Sequence, residues 1–162
     1  MATSTLTRTS RSIVKAVLSR EQAEGAGARV RRSIGRPELR NHDPFLMLDE
    51  FDVDKNGGFP DHPHRGFETV TYMLEGQFQH EDFAGHKGTI GPGDFQWMTA
   101  GRGIVYSETP VKSQTRAPSS LALYASICSP DPCFSAASAP ILTVRFPYDV
   151  CLFLEFLQIS LL

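Results

Sequence analysis

Between residues 45 and 110, glycine and proline break the chain every few positions, and what lies between the breaks is short and β-like. Residues 67–74 and 78–83 read as strands, ended by Glu75-Gly76 and by Gly85. The stretch from Gly88 to Asp94 holds three glycines and a proline in seven residues, so it must turn tightly. Strands at 95–99 and 104–109 flank Gly101-Arg102-Gly103. An apolar run at 45–51 precedes Lys55-Asn56-Gly57-Gly58, which reads as another turn. Upstream, β-like runs at 13–18 and 28–34 are separated by Glu24-Gly25-Ala26-Gly27. No helical periodicity of useful length appears before residue 110. This pattern predicts an all-β antiparallel barrel over residues 13–110, after a flexible Ser/Thr-rich start at 1–12.

After Pro110 the composition changes. Residues 111–140 are rich in Ser, Ala and Pro, as in a linker, and residues 141–162 turn apolar without turn signals. The expectation is a poorly structured tail. Deleting residues 113–162 is then expected to leave the β signal of the chain largely intact. The tail holds all three cysteines, Cys128, Cys133 and Cys151, with no CxxC pair. That spacing suggests a reducing compartment and no structural disulfide. The apolar end is too short to span a bilayer and contains Glu155, so no membrane partner is expected.

Apolar residues make up 41% of the 162-residue chain, enough for a core in part of its length. The net charge of −2 hides an uneven distribution. Residues 1–40 hold nine Lys/Arg against three Asp/Glu, and residues 41–110 hold four against twelve. The acidic middle suits a cation site or a solvated surface. No aromatic residue is interleaved with the arginines at the start, so direct nucleic-acid binding is not expected.

The chemistry gathers at His62-Pro63-His64 and at Tyr106-Ser107-Glu108. Residues two apart on an extended strand share a face, so each segment offers two side chains to one side. If the strands adjoin, the four converge. Two imidazoles and a carboxylate suit a non-haem ferrous ion with open positions. The competing reading is a turn with two solvated histidines; the carboxylate on the second strand favours the metal. Glu68 is a candidate to hold a ligating imidazole by its other nitrogen, or to form a surface ion pair. His80 and His86 share no face and read as structural. Phe95, Trp97 and Met98 read as core or cavity wall.

Several strings are distinctive: VLSREQAEGAGARVRRSI, GRPELRNHDPFLMLDEF, GGFPDHPHRGFETVTYMLEG, HEDFAGHKG and PGDFQWMTAGRGIV. From about Val17 to Glu108 they resemble the pirin family. The resemblance implies the first of two cupin barrels, jelly-roll-like, with an iron held by three histidines and a glutamate. On this sequence His62, His64 and Glu108 match three of those ligands, and the third histidine falls on Tyr106. A phenol, with its pKa near ~10, must lose a proton to coordinate well. Tyr106 is thus either a degenerate fourth ligand or an aromatic filling the barrel. From VKSQTRAPSS onward the resemblance stops, so the first barrel is expected to be incomplete.

The resemblance further implies a nuclear protein, present in the cytoplasm as well, that assists transcription regulators through protein contacts. An alternative is a quercetin 2,3-dioxygenase that cleaves a flavonol at the metal. Tyr106 and the foreign tail suggest a third reading, a non-functional truncated family member.

Overall fold

The computed structural model describes residues 15–112, 118–126 and 142–145, and every regular element in them is a strand. These are β1 Arg20–Glu24, β2 Ala26–Ile34, β3 Phe45–His64, β4 Phe67–Glu75 and β5 Phe78–Asp82. They continue with β6 Lys87–Ile90, β7 Asp94–Thr99, β8 Ile104–Pro110, β9 Ser119–Ser126 and β10 Leu142–Arg145. All pairings are antiparallel. Across the sheet the order is β10-β7-β4-β9-β3-β8-β5-β6, with β2 beside β3 and β1 beside β2.

The 20-residue β3 joins the two halves of the fold. Its first part, Phe45 to Asp52, pairs with β9. Its last part, Phe59 to His64, pairs with β8. The Lys55-Asn56-Gly57-Gly58 segment, expected as a turn, is strand throughout. Its glycines serve close approach instead. Gly58 has φ +144°, and a Cβ there would lie 2.7 Å from the Glu108 carbonyl oxygen.

Strand parity divides the core. On β4, Val70 and Tyr72 point one way and Thr71 and Met73 the other; all four are buried. The inner cluster joins Met73 to Val30, Phe51, Val53, Phe78 and Ile90. The outer cluster joins Val70 and Tyr72 to Ile34, Phe45, Leu48 and Phe95. β2 contributes to both because its register shifts between Arg32 and Ile34. Met98 is buried on the inner side, whereas Trp97, expected in the core or cavity wall, is 41% exposed. It pairs with Val70, on the outer face of the sheet.

The ends differ from expectation. Residues 15–19 form no strand, and β1 begins at Arg20. The tight reversal at Gly25, φ +56°, makes the five residues before it the partners of β2. The barrel boundary expected at residue 110 also moves: β9 lies between β3 and β4, inside the sheet. Its Ser120 is fully buried. β10 covers the free edge of β7. The flexible start at 1–12, the cysteines and the apolar end from 146 lie outside the described residues.

Candidate metal centre

The site lies on the inner face where β3 meets β8. His62 pairs with Tyr106, and His64 with Ile104. A register shift between Phe59 and His62 sets Phe59 opposite Glu108. The ring centroids of His62 and His64 are 4.6 Å apart, and Tyr106 lies 5.6 Å from the first and 5.9 Å from the second. Tyr106 and Glu108, two apart on β8, are both buried. The structure thus brings His62, His64, Tyr106 and Glu108 to one inner wall.

The imidazoles present donor electrons. His62 Nδ1 lies 2.8 Å from the Pro60 carbonyl oxygen. A carbonyl only accepts, so Nδ1 carries a hydrogen, and Nε2 is the nitrogen left to face a cation. His64 is buried against Phe67. Burial, and then the neighbouring charge of His62, push its pKa down to about 4, so it is neutral at pH 7.

Glu108 accepts from the Thr71 hydroxyl, 3.2 Å away, and from the Tyr106 phenol. Burial pushes its pKa up, and those two hydrogen bonds and the charge of His62 oppose the shift. Behind Tyr106, Gln96 Nε2 donates to the phenol oxygen at 2.9 Å. Two imidazoles and a nearby carboxylate suit a cation, and the arrangement is open. Among the described residues no three His, Cys, Asp or Glu side chains form a closed metal-holding group. By donor chemistry the residues suit a two-imidazole, one-carboxylate cation site, with Tyr106 beside it.

A cleft of about 450 Å³ opens beside the site, lined by His62, Glu108, Phe51, Phe59, Arg32 and Asp49 among others. Arg32 grips Asp49 through Nε at 2.9 and 3.2 Å and through Nη2 at 2.7 Å. Even so, burial raises the Asp49 pKa.

Glu68 belongs elsewhere. Parity places it on the outer face of β4, where its carboxylate accepts from the Thr99 hydroxyl at 3.0 Å. On that face it is directed away from the imidazoles of the site, contrary to the expectation that it would hold one. His86 donates to the buried Asp82 at 2.8 Å, and Asp82 also accepts from the Ala84 and His86 amides. That pair closes the turn after β5. His80 is buried over Gly88, and neither of its ring nitrogens has a hydrogen-bond partner among the described residues. Sequence reasoning missed Thr71 and Gln96. The available signal was polar residues at inward positions of apolar strands.

The protonation state of His64 has a measurable consequence for the metal-free chain. The unfolded chain takes up a proton on this imidazole near pH ~6.5, the folded chain only near 4. Between those values the unfolded state binds more protons, so stability falls as pH falls. His80, whose pKa burial also lowers, acts in the same sense. Urea denaturation in chelator at pH 7 and pH 5 is expected to show a smaller loss for His64→Leu than for the parent. Equal losses would mean that His64 is not held neutral.

The all-antiparallel fold, with inward polar side chains on adjoining strands, is that of the cupin class. The Pirin family model matches residues 27–121, more than half of the chain, and the chain belongs to the pirin family. The match extends past Pro110 into β9, where sequence reading expected unrelated tail. A pirin-like protein of Solanum lycopersicum is 68% identical over 116 residues, covering 72% of this chain and 40% of that protein. The chain spans less than half the length of the curated relatives it matches. Among solved structures, a quercetin 2,3-dioxygenase from Acinetobacter baumannii superposes with TM-score 0.64 at 26% identity, covering 81% of this chain and 44% of that one. A bacterial pirin from Escherichia coli, solved with nickel(II), shares the fold with TM-score 0.68 at 23% identity, over 79% of this chain and 55% of that one.

Proposed function

We propose that this chain is a pirin-type regulatory module that holds a non-haem iron through His62, His64 and Glu108. The observation that carries this reading is the pair of inward imidazoles, 4.6 Å apart, on the strand beside Glu108. Bound iron would supply a charge that changes with oxidation state, and open positions for the oxygens of a small ligand. The chain's own part is to orient His62 through Pro60, keep His64 neutral, and hold the Glu108 carboxylate through Thr71 and Tyr106. Because β3 and β8 carry these groups and also form the wall of the cleft, a change at the ion is felt in the surface around it. The proposed partners are transcription regulators in the nucleus, met through protein contacts. That part rests on family resemblance.

The likeness to a quercetin 2,3-dioxygenase supports a second reading, as does the cleft beside Glu108. In that reading Glu108, made more basic by burial, takes the proton of the flavonol hydroxyl. The wall formed by Phe51 and Phe59 suits a planar aromatic body.

Metal analysis of the purified full chain tests the first reading. About one iron per chain is expected, with loss in the His62→Ala/His64→Ala double variant. Iron no higher in the parent than in that variant would leave a chain without a working site, as the truncated-member reading has it. Incubation with quercetin under oxygen separates the other two. Turnover is expected to be weak or absent, because the site is one imidazole short. Robust oxygen-dependent loss, abolished by Glu108→Gln, would make the enzyme the better reading.

A further inference from the structure

Position 106 is where this chain departs from the ligand pattern of its family, and its surroundings are specific. Tyr106, Gln96, Thr71 and Glu108 are all buried, on β8, β7 and β4. Gln96 stands in register with Thr71, so both enter the barrel side by side. The phenol has one hydrogen. With that hydrogen committed to Glu108, the phenol oxygen can only accept, and Gln96 must present its Nε2. The other end of the amide, Oε1, is buried with no hydrogen-bond partner among the described residues. A buried amide with an unsatisfied oxygen carries a cost, so the bond it does make needs a reason.

We propose that Gln96 is a positioning residue that turns the Tyr106 hydroxyl onto Glu108, making Tyr106 a brace for the carboxylate and not a ligand. The inference rests on the metal-site reading above. It assigns the fourth corner: an ion held by His62, His64 and Glu108 keeps that position for water or a small ligand. The Gln96 bond draws the phenol oxygen toward β7, and the Glu108 bond uses its hydrogen. Thr71 supports the same carboxylate from β4. The chain therefore replaces a metal–imidazole bond with a hydrogen-bond chain of Gln96, Tyr106 and Glu108.

The test is titration of the full chain with cobalt(II), followed by visible absorption, for the parent, Gln96→Met, Tyr106→Phe and the double variant. A ferric-loaded sample of each accompanies it. Tyr106→Phe is expected to leave the cobalt band positions unchanged, and the ferric parent to lack a phenolate-to-iron band. Gln96→Met and Tyr106→Phe should each weaken cobalt(II) binding about three- to tenfold. The double variant should bind no more weakly than Tyr106→Phe, because Gln96 acts through the phenol. A phenolate band in the ferric parent that Tyr106→Phe removes would overturn the inference, whether or not Gln96→Met folds. Losses that add in the double variant would remove the role of Gln96 alone. A parent that takes up no cobalt(II) would sink the metal-site reading, and this inference with it.

Discussion

Truncation after Lys112 is expected to abolish cooperative unfolding, whereas truncation after Ser126 should preserve it. The first removes β9, which pairs with β3 at seven positions and with β4 at eight. Loss of an edge strand exposes one row of backbone groups; loss of an interior strand exposes two and opens the barrel. Even at about 0.5 kcal/mol net per hydrogen bond, the two ladders together contribute several kcal/mol. That is comparable to the ~5–15 kcal/mol of a whole domain. The inner cluster, with Phe51 and Met73 on the strands flanking the gap, would meet water as well. Thermal melts by far-UV circular dichroism check this. A chain ending at Lys112 that melts cooperatively at the parent's temperature would show that β9 is dispensable, as composition alone suggested.

Tyr106→His should strengthen ferrous binding by tenfold or more, a gain of at least ~1.4 kcal/mol. The side chain at 106 sits beside both imidazoles, with ring centroids within 5.9 Å. Histidine there offers a neutral lone pair at pH 7, whereas a phenol must first release a proton, at about 1.36 kcal/mol per pKa unit. The variant also loses the hydroxyl that braces Glu108, which offsets part of the gain. Anaerobic iron(II) titration against a competing chelator measures the difference. A Tyr106→His chain that binds iron(II) no better than the parent would mean that position 106 does not face the ion.

The paired ligand candidates were legible because strand parity is local. His62 and His64, and Tyr106 and Glu108, share faces wherever their strands lie. What local reading could not supply is the closure that brings β7 and β4 to the same interior. Thr71 and Gln96 are polar residues in mid-strand, and until the barrel closes they look like solvent-facing positions. Glu68 failed for the opposite reason: proximity in sequence suggested a role that its parity on β4 denies. The eight residues of β9 were lost in a Ser/Ala/Pro-rich window whose average composition resembles a linker. Its partners lie 44 to 80 positions earlier in the chain, too far for any local pattern to announce. Lys55-Asn56-Gly57-Gly58 misled because glycine marks both a reversal and a close passage of two strands, and only the neighbouring chain distinguishes them.

The continuity of β3 limits how the length of this gene can vary. Phe51 and Val53 point inward in its first part, and His62 and His64 in its last, with two register shifts between. Inserting or deleting a single codon between them would swap inside for outside on one part or the other. Either the apolar layer or the histidines would then face solvent, although no residue type had changed. A change of two codons restores the alternation. Among natural and engineered versions of this strand, length differences between Val53 and His62 should therefore come in even steps, unless a compensating bulge accompanies them.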